Sequence, residues 1–230
     1  MDFDVTIIGA GVIGLSIARA LSEKKLNTVV IEKNPSFGEE TSSRNSGVIH
    51  AGIYYPRSSK KSEFCKQGNK LLYKYIKERK IDFHNCGKLI VASNERENDL
   101  LLKLKKNAQD IGTDLNYLNK KETNEIEPQL SVYSSLLSST TGILDIHNFM
   151  FNLETDIIKN QGLVVYNSEV SKIIPDQEKI KFLLKNFNKT YKTRILINSS
   201  GLNSHELAKK ITSLDPKIIP KIKYIKGDYF

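Results

Sequence analysis

The chain has 230 residues, of which 39% are hydrophobic and 27% are charged. This composition is that of one large globular domain or of two intertwined domains, and it excludes a disordered or membrane-spanning chain. The net charge of +9 comes from lysines scattered along predicted helices, which favours a solvated basic surface over a nucleic-acid site.

The apolar run at residues 5–21 is predicted to be protein core rather than a secretory signal. Asp2 and Asp4 precede it, and Ser16 and Arg19 interrupt it, whereas a signal begins with basic residues and continues without a break. We therefore expect this segment to stay in the mature protein.

The two cysteines, Cys65 and Cys86, have neither the spacing of a metal site nor the density of a disulfide scaffold. No metal site is predicted, and a reducing cytoplasm is the expected compartment. Peripheral contact of the basic surface with an anionic membrane stays open as an alternative.

The amino-terminal stretch has the pattern of a strand, a glycine-rich turn, a helix and a second strand that ends at Glu32. Gly9 allows a tight turn, Gly11 allows the backbone to approach a pyrophosphate, and Gly14 allows the helix to pack on the strand. Glu32 follows Gly11 by 21 residues, where a carboxylate accepts hydrogen bonds from ribose hydroxyls. The combination predicts a dinucleotide site rather than an ordinary buried βαβ unit.

The first helix lacks the glycine that commonly ends such helices. Its last residues are Lys24, Lys25, Leu26 and Asn27. Either Lys25 or Asn27 is expected to take the left-handed conformation, at a cost of about 1 kcal/mol.

Residues 34–56 form a long segment rich in small and hydroxyl-bearing residues, and a loop of this length is usually functional. Arg44 is suited to meet a phosphate, and Gly47 leaves room for a flat ring. His50 follows directly. Further along, Gly201 lies in a turn that in isolation is an ordinary αβ turn, and Asn203 with Glu206 predicts a capping box.

The glycine pattern with Glu32, together with the sequence SSRNSGVIHAGIYYP at residues 42–56, resembles the FAD-dependent oxidoreductases of the D-amino-acid oxidase superfamily. Within it, the chain is most similar to the L-2-hydroxyglutarate dehydrogenase or oxidase group. The resemblance covers the whole chain, and the motif at 42–56 is more specific than the glycines.

The resemblance implies an α/β fold. A Rossmann-like FAD-binding domain, with a parallel sheet and an antiparallel meander, would comprise residues 1–82 and 143–213. An incomplete α+β substrate domain would comprise residues 83–142 and 214–230, ending in a strand at 218–230.

The implied cofactor is FAD, with its ribityl chain and ring along the 42–56 loop and its adenine edge against the backbone of Val170. The residues expected to bind FAD are Gly9, Gly11, Gly14, Glu32, Lys33, Ser43, Arg44, Asn45, Ser46, Gly47, Val170 and Gly201.

The implied reaction is oxidation of a small 2-hydroxy acid, L-2-hydroxyglutarate to 2-oxoglutarate, by hydride transfer to flavin N5. His50 is the candidate general base, because a histidine suits proton removal near neutral pH. A hydrogen-bonded structural histidine and a covalent flavin link are the alternatives. The electron acceptor, oxygen or a quinone, stays open.

Two other functions stay open. An amine or amino-acid oxidase would share the nucleotide-binding half. An inactive remnant, or the first half of a split enzyme that needs a complementary C-terminal polypeptide, would explain a chain that stops within the strand expected at 218–230. On that interpretation the chain alone is expected to lack dehydrogenase activity.

Overall fold

The computed structural model describes residues 2–227. Within them lie twelve strands and six α-helices. The strands are β1 (Phe3–Ile8), β2 (Thr28–Ile31), β3 (Val48–Ile49), β4 (Phe83–His84), β5 (Lys88–Ala92), β6 (Asn116–Asn119), β7 (Ser134–Ser138), β8 (Gly142–Leu144), β9 (Leu163–Val165), β10 (Val170–Pro175), β11 (Ile180–Leu184) and β12 (Thr190–Asn198). The helices are α1 (Val12–Glu23), α2 (Lys60–Glu78), α3 (Glu95–Asp110), α4 (Lys120–Ile126), α5 (Ile146–Lys159) and α6 (Ser204–Lys209).

The chain divides into two compact units. The first comprises Met1–Asn45 and Ile146–Phe230, and the second comprises Ser46–Asp145. The sequence prediction assigned residues 46–82 to the FAD-binding domain and residues 214–230 to the substrate domain, so the structure divides the chain differently at both places.

The position of α2 explains the difference at residues 46–82. The Asn69 amide donates to the carbonyl oxygen of Thr140 at 3.1 Å, and the Lys66 ammonium group donates to the carbonyl oxygen of Ile111. Both bonds tie α2 to later parts of the second unit.

The first unit contains a six-stranded sheet in the order β10-β11-β12-β1-β2-β9. β12, β1, β2 and β9 run parallel, whereas β10, β11 and β12 form an antiparallel meander. β1 is paired on both sides, and its last four residues, Val5 to Ile8, are buried on both faces, as expected of a central parallel strand. This sheet confirms the predicted Rossmann-like fold with its meander, and β12 is both the last meander strand and the strand that returns to β1.

Two helices of the first unit, α1 and α5, are joined by an ion pair. The Arg19 Nε donates to the carboxylate of Asp156 at 2.9 Å, and the Asp156 side chain is only 3% exposed. Of the two residues predicted to end α1 in the left-handed conformation, it is Lys25 that takes it, with φ of 62°.

The second unit has two small antiparallel sheets with the strand orders β3-β8-β4 and β5-β7-β6. Its core includes Ile53 beside β5, together with Ala92, Leu101 and Leu136. Strands and helices alternate without a parallel βαβ unit, which confirms the predicted α+β character of this region.

Two local expectations were wrong. Asn203 does not cap α6 with its side chain; its amide instead donates to the Glu40 carboxylate at 3.0 Å. The strand predicted at 218–230 is absent as far as residue 227: Pro216–Ile218 forms a 3-10 turn, in which the Asp215 carboxylate accepts from the Lys217 N–H at 2.9 Å, and residues 219–227 form no strand. Residues 228–230 lie outside the described residues.

Across residues 2–227, no helix combines the length and the apolar character needed to cross a bilayer.

Candidate functional site

The first unit contains a cavity of about 610 Å³. It is lined by the glycine turn after β1, the end of β2, residues 38–42 with Asn45, residues 168–170 and the segment around α6. The carboxyl ends of parallel strands meet at this edge of the sheet, which is where open α/β sheets bind ligands.

The glycine turn has the conformation that a close approach to phosphate requires. Gly9 has φ of 107°, and a Cβ atom on Gly14 would lie 1.9 Å from the Gly9 carbonyl oxygen. Helix α1 can therefore pack against the turn only if residue 14 is glycine.

Gly11 faces the cavity, and a Cβ atom there would meet only the Ser42 hydroxyl, at 3.0 Å. That hydroxyl also accepts a hydrogen bond from the Val12 N–H at 3.0 Å. The remaining N–H groups of the first turn of α1 have no partner within the helix. They and the helix dipole make this end of α1 a suitable receptor for the pyrophosphate of FAD.

Glu32 also lines the cavity and is held by two backbone bonds. One carboxylate oxygen accepts from the Ala10 N–H at 2.8 Å, and the other accepts from the Asn34 N–H at 2.9 Å. Each oxygen keeps a further lone pair. The side chain is thus fixed in a position to accept ribose hydroxyls, and the residues of this cavity fit the ADP part of FAD.

Two lysines at the cavity are engaged by carboxylates. Lys33 pairs with Glu40 at 2.5 Å. Lys210 donates to Glu169 at 3.0 Å and to the Val170 carbonyl oxygen at 2.6 Å; the bond from Lys210 lowers the pKa of Glu169. The Val170 carbonyl therefore has a protein partner already, and one lone pair remains for an adenine.

The structure brings together some of the residues predicted for FAD and separates others. The predicted residues that line the cavity are Gly9, Gly11, Glu32, Lys33, Asn45, Val170 and Gly201. Gly14 packs beneath the turn, and Ser43 and Arg44 are exposed beside the cavity lining. Ser46 and Gly47 belong to the second unit.

Two residues that shape the cavity are missing from the sequence prediction. Ser42 lies in the hydroxyl-rich stretch and could have been chosen with Ser43, since a hydroxyl can satisfy a helix N–H from outside the helix. Lys210 reaches Val170 from 40 residues away, and nothing in the local sequence indicates that contact.

His50, the candidate base, lies in the second unit. Its backbone carbonyl accepts from the Asn69 amide at 3.0 Å and from the Cys65 thiol at 3.6 Å. Burial, followed by the charges of Lys88 and Lys61, lowers the pKa of His50 below its usual value. The lowered pKa favours the neutral imidazole, which is the form that can accept a proton.

Metal chemistry receives no support from the side chains that the structure describes. Within residues 2–227, no group of three or more histidine, cysteine, aspartate or glutamate side chains is arranged to hold a metal ion.

Comparison with known proteins gives consistent matches along the chain. The sequence profile described as FAD dependent oxidoreductase, DAO, matches residues 4–230. The mitochondrial L-2-hydroxyglutarate dehydrogenase of Arabidopsis thaliana is 35% identical over 259 residues, covering 99% of this chain and 53% of that protein. The protein of the same name from Nematostella vectensis is 36% identical over 243 residues, covering 99% and 52%. The chain thus spans about half the length of these relatives.

A solved structure is similar as well. The dithionite-reduced L-alpha-glycerophosphate oxidase of Mycoplasma pneumoniae, with FAD bound, has a TM-score of 0.85 and 27% identity over 91% of this chain and 56% of that chain. The glycine turn, Glu32 and the cavity between them are the features that an FAD protein needs. The chain therefore belongs to the DAO family of FAD dependent oxidoreductases, and its cofactor is FAD.

Proposed function

We propose that this chain supplies the FAD site and the proton acceptor of an oxidoreductase that converts L-2-hydroxyglutarate to 2-oxoglutarate. The choice of substrate is supported by the sequence identity of 35% and 36%, over 99% of the chain, to proteins named L-2-hydroxyglutarate dehydrogenase. That match includes the second unit, which contains His50.

FAD supplies the redox chemistry, because its ring accepts a hydride from the C2 carbon of a hydroxy acid. The chain holds the cofactor: the first turn of α1, with Gly11, would receive the pyrophosphate, and Glu32 would receive the ribose hydroxyls. Gly9 and Gly14 shape the turn. The further residues proposed along the cofactor are Lys33, Ser43, Arg44, Asn45, Ser46, Gly47, Val170 and Gly201.

His50 is proposed to take the proton of the C2 hydroxyl group. The side chains of Asn69 and Cys65 donate hydrogen bonds to the backbone carbonyl of His50, not to its ring. In residues 2–227 the imidazole itself has no hydrogen-bond partner, which supports a base over a purely structural histidine. A neutral imidazole near its own pKa is an efficient proton acceptor.

The proposed enzyme also needs an electron acceptor, either oxygen or a quinone. A quinone would bring the basic surface of the protein into peripheral contact with a membrane.

Turnover is also proposed to need a polypeptide equivalent to the remaining part of the relatives, either in the same chain or as a complementary chain. The support is the coverage, since the matched region is only 53% of the Arabidopsis protein. A substrate must be held in place as well as oxidised, and correct orientation is a large part of enzymatic rate enhancement.

The test has two parts. The visible spectrum of the purified protein should show flavin absorption bands at about 370 and 450 nm, which arise from the cofactor itself. Anaerobic bleaching of the 450 nm band should then follow addition of L-2-hydroxyglutarate but not of a panel of amino acids. Each substrate is tested with the chain alone and with the complementary polypeptide added. Bleaching by an amino acid instead would replace the proposed function with that of an amino-acid oxidase.

A further inference from the structure

A small hollow in the second unit brings His50 together with a lysine and two tyrosines. Residues 50–55 line it with Lys88 at the start of β5, and its volume is about 10 Å³. A space of this size takes about one water-sized group. It therefore suits a single polar atom of a ligand, such as one carboxylate oxygen, and not the body of a substrate.

Two lysine ammonium groups lie over the tyrosine rings of residues 50–55. The Lys88 Nζ lies 4.6 Å from the ring centroid of Tyr54, and the Lys61 Nζ lies 4.5 Å from the ring centroid of Tyr55. An aromatic face attracts and positions a cation without neutralising its charge.

Neither ammonium group is paired with a carboxylate in the part of the chain that the structure describes. Lys60, next to Lys61, shows the contrast, because it forms an ion pair with Glu63 at 2.7 Å. After burial, the charges of Lys88 and Lys61 are the causes that lower the pKa of His50. The positive potential of both lysines thus reaches the imidazole.

On the basis of the proposed function, we propose that Lys88, assisted by Lys61, binds a carboxylate group of the substrate beside His50. L-2-hydroxyglutarate is a dianion at neutral pH, so it can supply the missing negative charge. An ammonium group offers three N–H donors, and charge-assisted bonds to a carboxylate are among the stronger hydrogen bonds. Burial and, after it, the charges of these lysines lower the pKa of His50, which favours the form of the imidazole that can accept the hydroxyl proton.

The test measures binding separately from oxidation. Glutarate has both carboxylates but no hydroxyl group at C2, so it binds without being oxidised. Its affinity for the FAD-loaded protein is measured by titration calorimetry for the wild type, Lys88→Met, Lys61→Met and Lys88→Arg. Lys70→Met is the matched control, because Lys70 is exposed on the same helix as Lys61.

Lys88→Met should weaken glutarate binding by about 10- to 100-fold, the usual cost of a lost charged hydrogen bond. Lys61→Met should weaken it less, and Lys88→Arg and Lys70→Met should stay close to the wild type. L-2-hydroxybutyrate, which has one carboxylate, identifies the group that is bound. If Lys88→Met loses affinity for both glutarate and L-2-hydroxybutyrate, Lys88 binds the carboxylate next to C2. If it loses affinity for glutarate alone, Lys88 binds the distal carboxylate.

The proposal is overturned if Lys88→Met binds glutarate as tightly as the wild type, if Lys70→Met loses as much affinity, or if the wild type does not bind glutarate. A wild-type protein that binds glutarate, but whose flavin is not reduced by L-2-hydroxyglutarate even with the complementary polypeptide present, would instead overturn the proposed function and leave the carboxylate site standing. Flavin content and circular dichroism of each variant show that the fold is retained.

Discussion

The cavity of the first unit and the hollow around His50 are held together by different kinds of group. The part of the cavity proposed for the pyrophosphate and ribose depends mainly on backbone N–H groups and on Glu32, which lie within β1, α1, β2 and the turns beside them, with the Ser42 hydroxyl as one added side chain. The hollow depends on side chains from separate elements, with Asn69 of α2 and Lys88 of β5 around the loop that carries His50. A site built from backbone tolerates most side-chain changes and fails mainly at its glycines, whereas a site built from side chains is lost one residue at a time.

The largest effect is expected from a single side chain of the hollow. With the complementary polypeptide present, His50→Asn should slow substrate-driven flavin reduction by about 10²- to 10⁴-fold, because a proton acceptor is lost. FAD content should stay normal. Stopped-flow absorbance measures the rate, and His84→Asn, an exposed histidine of the same unit, is the control.

The pH dependence sharpens this test. The pKa of His50 is lowered, so the wild-type rate should hold near pH 7 and fall only when the pH drops below about 6.5, where the imidazole gains a proton and can no longer accept one. His50→Asn should lack this acidic limb. An unimpaired rate in this variant would return His50 to a structural role.

The cavity should be broken at a glycine. Gly11→Val is expected to weaken FAD binding by about 100-fold, because its branched side chain occupies the space of the pyrophosphate and presses on Ser42. Gly68→Val is the matched control, since a Cβ atom on that glycine of α2 meets nothing within 4 Å. Equal flavin content in the two purified variants would contradict the placement of the pyrophosphate.

Replacing a side chain of the cavity should weaken FAD binding less than the glycine substitution does. Glu32→Ala is expected to weaken FAD binding by about 1–3 kcal/mol, the usual worth of hydrogen bonds to a charged group. The free energy of unfolding should fall as well, because the Ala10 and Asn34 N–H groups lose their acceptor. Fluorescence titration of the apoprotein with FAD measures the affinity, and an unchanged value would move the ribose contact elsewhere.

The smallest effect concerns the support of His50. Asn69→Ala removes the two bonds that its amide donates to the carbonyl oxygens of His50 and Thr140, and it should lower the free energy of unfolding by about 1–2 kcal/mol. Asn107→Ala serves as the control, because its bond to the Ile53 carbonyl oxygen is longer, at 3.5 Å. Urea unfolding compares the two variants, and an equal loss would show that Asn69 has no special role in holding His50.

The same contrast explains how much could be predicted from the sequence. The strand, the glycine turn and Glu32 follow local rules of spacing, so the Rossmann-like sheet and the position of the carboxylate were predicted correctly. The capping box at Asn203 was wrong because Asn203 ends a 3-10 turn, with ψ of 6° instead of the extended conformation of a cap, and its amide donates to Glu40, far away in the chain. The contacts of Lys210 and Lys88 depend on tertiary placement, which spacing along the chain does not encode.

The central place of β1 in its sheet has a consequence for synthesis of the protein. β1 pairs with β12, and the hydrogen bond between Asp2 and Lys192 joins residues that are 190 positions apart. At about 5–20 residues per second, a ribosome needs about 10–40 s to produce the partner strand after it has produced β1. During that time one edge of β1 stays unpaired and the cavity lacks its later walls. A nascent chain therefore cannot complete its cofactor cavity until the ribosome has synthesised β12 and α6.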